Sequence, residues 1–269
     1  MIPLQRGELP EELAARLVAR TERLADRGGG ARELWRDSRT VRRELSVHLV
    51  AMASGLSRCM YCGDSEGTSI DHFQPIAMAP MRAFDWLNHL WACAFCNSNQ
   101  KRDLYPTDRH GEPLLIDPTA DEPAEHLDLV LATGAYRPRS PKGRETIQIF
   151  GLDRPVLERG RAQAYVRCRS MLRDLAHLDA LDEQAEAAAV AHALAVQPFA
   201  DVLYAMLRLC GAPRATLVFG PEAVAGLELL ARRSPRSGER GLRTEPGQVR
   251  PAGPRRPART PRPGSPQRS

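Results

Sequence analysis

Two Cys-x-x-Cys pairs, Cys59-Met-Tyr-Cys62 and Cys93-Ala-Phe-Cys96, constrain this chain more than any other feature. Thiolates two residues apart can bend round one metal ion, and two such pairs supply the four sulfurs of a closed tetrahedral zinc site. A closed site has no open position for a substrate, so a zinc held there supports the fold and does no chemistry. Cys93 lies 31 positions after Cys62, farther than a compact zinc ribbon needs. The excess implies an insertion, and it carries Ser69-Ile70-Asp71-His72-Phe73 and Trp86-Leu87-Asn88-His89. Cys96 then runs directly into Asn97-Ser-Asn99-Gln-Lys101-Arg102. These polar residues, and not the cysteines, are the candidates for chemistry.

The order Cys-x-x-Cys, Asp-His, Asn, Cys-x-x-Cys-Asn, Lys resembles the HNH endonuclease superfamily, and within it the zinc-knuckled bacterial members. The resemblance covers residues 57–106 and implies a ββα-metal finger. It implies His72 as general base, Asn88 as the residue steadying the adjoining loop, and Asp71 with Asn97 as ligands of a catalytic divalent ion. Two positions depart from the family pattern. Asn97 stands where a histidine is common, and Asn97-x-x-x-Lys101 is one residue longer than expected. The resemblance also implies a nuclease acting on DNA, in a bacterial defence or mobile-element setting, although a fold shared with a family does not fix a function.

Chemistry explains why these residue types belong together. A histidine with an ordinary pKa near ~6.5 can take a proton from water at neutral pH. Neighbouring side chains on a strand point to opposite faces, so Asp71 and His72 can serve opposite sides of one phosphate. Asp plus Asn is an oxygen-only donor set, which suits Mg²⁺ or Mn²⁺ better than zinc. Lys101 lies four residues after Asn97, on the same face of a helix, and is expected to meet a phosphate there. Arg102 extends that basic patch. Asn99 is the competing metal ligand, and His89, Trp86 and Trp91 read as structural residues of a small finger.

Around this centre the chain reads as α+β: a zinc-stabilised ββα-metal finger at 57–106 embedded in a mainly α-helical chain. Leucines at helical spacing predict one helix over Pro10–Arg27, ended by Gly28-Gly-Gly30, and a second over about Ala31–Gly55. Arg36, Arg39, Arg42 and Arg43 on the second read as a solvated face, and His48 as a packed histidine. These helices form an N-terminal segment, 1–56. The next region, 107–231, is expected to be mainly helical with a small β element. A short strand is predicted at Leu114–Asp117 and a strand pair over Leu127–Tyr136 turning at Thr133-Gly134. A short helix follows at Thr146–Leu152, then helices near Val156–Leu178, Asp182–Val196, Phe199–Leu209 and Glu222–Arg232. Cys168 and Cys210 read as plain buried thiols.

Charge is unevenly spread. The chain carries +5 overall with a pI of 9.1, but residues 232–269 hold eleven Arg against Glu239 and Glu245, a net of +9. The preceding residues therefore carry −4. An Arg/Pro-rich segment with so few apolar residues is expected to be disordered, and binding nucleic acid is one role open to it. Neither a signal peptide nor a membrane span is evident, so the cysteines are expected in a reducing cytoplasm, where their pairing means metal and not disulfide. The function expected is that of a metal-dependent endonuclease with nucleic acid, DNA in the first instance, as its partner. A non-catalytic zinc module that binds nucleic acid, and a ribonuclease using the same residues, are the alternatives.

Overall fold

The computed structural model describes residues 1–233, so the basic stretch beyond Arg233 lies outside the described residues. Ten α-helices and two small antiparallel sheets make up this part of the chain. The mixed, helix-rich architecture agrees with the α+β expectation.

Helix α1 (Glu11–Arg27) starts with acidic residues, ends with Arg27, and buries Leu13, Leu17 and Leu24. Both ends therefore suit the helix dipole. Gly28 closes it in the left-handed conformation, with φ 65°. The single helix predicted next is two: α2 (Ala31–Asp37) and α3 (Arg39–Met52). Ser38 divides them. Its hydroxyl donates to the Leu34 carbonyl at 2.7 Å, and its backbone (φ −81°, ψ 50°) leaves the helical region. A serine that bonds its own preceding turn competes with the helical ladder in this way. The break swings Leu34 and Trp35 against Phe84 and Ala83, so the three N-terminal helices share a core with the loop of the finger.

The segment between the two cysteine pairs has β1 (Ser69–His72) paired antiparallel with β2 (His89–Ala92), with Asp71 opposite Leu90 and His72 opposite His89. Two short 3₁₀ turns, Pro80–Arg82 and Trp86–Asn88, shape the connection. A π-helix over Phe95–Lys101 follows the second cysteine pair. Its wide winding shows in the bond from Arg102 N to Asn97 O, 2.8 Å across five residues.

The predicted strand at Leu114–Asp117 is not formed. Leu115 and Ile116 are buried, but the only ladder contact nearby is an isolated bridge between Thr107 and Pro113. Pro113 and Pro118 bracket the segment and cannot donate to a sheet. Ile116 N instead bonds the Thr146 hydroxyl at 2.9 Å. Helix α4 (Pro123–His126) leads into β3 (Leu127–Val130) and β4 (Ala135–Pro138), the predicted hairpin. Gly134 makes its turn at φ 73°, where an added Cβ would sit 1.9 Å from the Glu158 carbonyl oxygen.

Helices α5 (Pro141–Phe150), α6 (Pro155–Ala180), α7 (Gln184–Val196), α8 (Ala200–Leu209), α9 (Ala215–Phe219) and α10 (Pro221–Arg233) complete the described chain. α6 is its spine, packed by α7, α8 and α10. One buried charge cluster pins it: Asp201 accepts from Arg161 Nε at 3.2 Å, from the Met1 amine at 3.1 Å and from the Tyr136 hydroxyl at 2.5 Å. Tyr61, inside the first cysteine pair, stacks on Phe150 of α5 at 3.9 Å and joins the finger to the helical part. Cys168 is buried and Cys210 half-buried. Among the described residues no single helix is long and apolar enough to cross a membrane.

Candidate metal centre and adjoining cleft

The four knuckle cysteines converge. Their Sγ atoms all lie within 4.8 Å of one another, every one is buried, and Cys62 and Cys93 approach to 4.0 Å. Tetrahedral zinc with Zn–S bonds of ~2.3 Å requires sulfurs about 3.8 Å apart, so this set fits such an ion and can hold it. The amide of Cys96 points at Cys93 Sγ from 3.4 Å and would stabilise a thiolate there. Hydrogen bonding from Cys59 lowers the pKa of the Cys62 thiol.

Beside this cluster lies an open cleft of about 280 Å³, with Asp71, His72, Asn97 and Arg102 in its lining. These four were singled out in the sequence, and the fold brings them to one place. Asn88 and Lys101 are close by but do not line it.

His72 is buried at the inner wall. Its Nε2 lies 3.0 Å from the Ala83 carbonyl oxygen, and His89 Nε2 lies at the same distance from that oxygen. A carbonyl only accepts, so both rings carry their proton on Nε2 and keep the lone pair on Nδ1. Trp35 stands edge-on to His72, 4.5 Å between ring centres, and stacks on His89 at 5.0 Å. Burial among these rings pushes the His72 pKa down to about 4, and the charges of Lys101 and Arg32 push the same way against the Ala83 bond. Burial, then the nearness of His72, also holds His89 well below the usual histidine range. His72 is thus neutral at physiological pH, as a proton acceptor must be, but it is a weaker base than the ordinary pKa expected from the sequence, because its charged form is desolvated.

Asn88 is wholly buried and spends its amide on the loop after β1. Its oxygen accepts from Gln74 N at 2.7 Å, and its nitrogen donates to Gln74 O at 3.0 Å and to Arg82 O at 3.1 Å. The loop so clamped includes Ala83, the partner of both histidines. Asn97 donates from Nδ2 to Ser69 Oγ at 3.0 Å and to Ile70 O at 3.4 Å, which leaves Oδ1 as its donor atom toward any metal.

Lys101 departs from expectation. Instead of meeting a phosphate at the surface it is fully buried, 3.0 Å from Asp71 Oδ1 and 2.6 Å from the His72 carbonyl oxygen. The cause is Asp71, only 2 % exposed. A buried carboxylate needs a compensating partner, and the long lysine stem reaches it from the end of the π-helix. The other carboxylate oxygen accepts from the Tyr61 hydroxyl at 2.5 Å. Burial raises the Asp71 pKa while Lys101 and Tyr61 oppose the rise. Of the two basic residues expected at the substrate, only Arg102 lines the cleft.

Sequence reasoning missed Arg32 and Trp35, which reach the cleft from α2, and Asp103 at its rim. It also missed Tyr61. The signal for Tyr61 was there, because a tyrosine between two buried cysteines needs a partner for its hydroxyl. Nothing local marked Arg32 or Trp35, whose role depends on the break at Ser38.

No family model matches the chain, and no solved structure matches it. It is similar to the Septu protein PtuB of Bacillus mycoides (strain KBAB4), with 26% identity over 137 aligned positions. That likeness covers 39% of this chain and 46% of the relative, so the chain spans about half the length of the curated protein it matches.

Proposed function

We propose that the chain is an HNH-type endonuclease that hydrolyses phosphodiester bonds of DNA, with His72 as general base. The observation that carries this reading is the state of His72. Its proton is committed to Ala83 at Nε2, so a neutral imidazole with a free Nδ1 sits in an open cleft beside two oxygen ligands. A purely structural histidine has no need of that cleft. In this reading His72 takes a proton from water, Asn88 and Ala83 fix the ring, and Trp35 limits its rotation.

Asp71 and Asn97 are the residues that would hold Mg²⁺ or Mn²⁺. Their donors are oxygens, as a hard ion requires, and both belong to the cleft. Asp71 Oδ1 faces Lys101 and Oδ2 faces the Tyr61 hydroxyl, so Asp71 would have to share its carboxylate between these partners and an ion. The chemistry that a divalent ion held by Asp71 and Asn97 would supply is charge stabilisation at the phosphate. Cys59, Cys62, Cys93 and Cys96 would hold a structural zinc that braces the segment between the two pairs. We assign the catalytic unit to residues 57–106, with 1–56 packed against it, 107–231 as helical support and 232–269 as a basic extension. Likeness to a protein of a Bacillus supports the bacterial setting that the motif implies.

The engagement of Asp71 by Lys101 favours one other reading, a zinc module that binds nucleic acid without cutting it. Incubating plasmid DNA, and separately RNA, with Mg²⁺ or Mn²⁺ distinguishes these. Wild type should cut DNA, while His72→Ala should stay folded and zinc-loaded yet inactive. Cleavage of RNA alone would make the chain a ribonuclease. Equal activity of the variant would remove His72 as base, and an inert wild type would leave the binding module.

A further inference from the structure

We propose that Arg32 and Asp103 form an exchangeable latch at the mouth of the cleft, in which a backbone phosphodiester of the nucleic acid displaces Asp103 and takes its place on Arg32. The inference rests on the nucleic-acid reading above and adds to it a binding residue outside the finger. Arg32 comes from the first turn of α2, seventy-one residues away from Asp103, and its Nη2 lies 2.9 Å from both Asp103 oxygens. The two side chains are 57% and 60% exposed, and ion pairs so open to water hold weakly. A phosphodiester carries the same single charge and presents two oxygens to the guanidinium, a geometry that arginine favours. Exchange therefore replaces one anion by another without stranding the cation.

Asp103 otherwise has no evident reason to be there. An acidic side chain on the rim of a cleft meant for a polyanion repels the ligand, unless its task is to occupy the arginine until the ligand arrives. The backbone beneath it is unusual as well. Arg102 has φ 51° and ψ −117°, a region that glycine favours, and Leu104 N closes the turn onto Lys101 O at 2.7 Å. Keeping a non-glycine residue in such a conformation is costly and is characteristic of functional sites. Here it sets Arg102 in the cleft wall and Asp103 opposite Arg32.

Fluorescence anisotropy with a labelled DNA oligonucleotide, over a range of salt and without added divalent ions, tests the latch apart from cleavage. Arg32→Ala should weaken binding about tenfold and reduce the salt slope by about one. Asp103→Asn should tighten binding several-fold, because it frees Arg32. The double variant should bind like Arg32→Ala alone. Asp103→Asn weakening binding would show the pair to be a brace and overturn the latch, as would an Arg32→Ala protein that binds like wild type. Both side chains are exposed, and matched melting temperatures verify that the variants fold. If wild type cuts no nucleic acid but the opposed effects appear, the nuclease reading fails and the latch stands.

Discussion

Replacing Lys101 by methionine removes the cation paired with Asp71 while nearly preserving side-chain volume. The pair is buried on both sides, 0% and 3% exposed at 3.0 Å. Deleting one partner of a buried ion pair typically costs about 3–5 kcal/mol. Asp71 can limit that cost by taking up a proton, since burial already raises its pKa. Holding a carboxyl protonated at pH 7 when the unfolded chain would ionise it near ~3.9 costs roughly 1.36 kcal/mol per pH unit, about 4 kcal/mol in all. At pH 5 the same escape costs about 1.5 kcal/mol. The sign follows from the raised pKa: protonated Asp71 costs nothing below the unfolded value near ~3.9, and stability is lost as pH rises from there toward the folded value. Lys101→Met should therefore be destabilised by about 3–4 kcal/mol at pH 7 and by about half that or less at pH 5. The Asp71→Asn/Lys101→Met double variant should recover most of the loss at pH 7. Equilibrium urea denaturation at fixed zinc concentration measures all three, because metal release on unfolding is then common to them. A loss below about 1 kcal/mol at pH 7, or one that does not change with pH, would refute the argument that Lys101 is there to compensate a buried charge.

Two further outcomes are expected. His72 stays neutral in the fold down to about 4, whereas the unfolded chain protonates it near ~6.5, so its contribution is intact above that value and is lost as pH falls toward 4, by about 3 kcal/mol. Urea midpoints of wild type and His72→Asn should thus converge on acidification; parallel curves would mean that the histidine is not buried as described. Cys93→Ser should lose zinc and structure together, since binding of a structural metal is part of the folding free energy; unchanged melting and full metal content in that variant would remove the cysteine cluster as a zinc site.

What could be read from the sequence was whatever has a local signature. Cys-x-x-Cys spacing led to four thiols within one coordination sphere, and leucine periodicity placed most of the long helices. Asp71, His72 and Asn97 could be named because their order with the knuckles resembles the HNH pattern, and they share one cleft. The sequence reading failed where a side chain's fate depends on something distant. Lys101 reads as a surface cation until it is known that a carboxylate thirty residues earlier is buried beside it. Leu114–Asp117 has the composition of a strand, but a strand needs a partner edge, and its flanking prolines and the Thr146 hydroxyl settle its backbone otherwise.

Ser38 shows the same dependence at the level of the site. Helix periodicity passes over it without interruption, since Leu34, Val41 and Leu45 keep their spacing on either side. α2 nonetheless ends after seven residues at Ser38, where the hydroxyl bonds Leu34 O and the backbone leaves the helical region. That bend sets the direction of α2, hence Trp35 against the two histidines and Arg32 against Asp103. The finger motif supplies the candidate chemistry, but the wall against His72 and the cation at the mouth come from a helix that breaks at one serine. A homologous finger without this N-terminal helix would keep the Asp71–His72–Asn97 grouping and lack both.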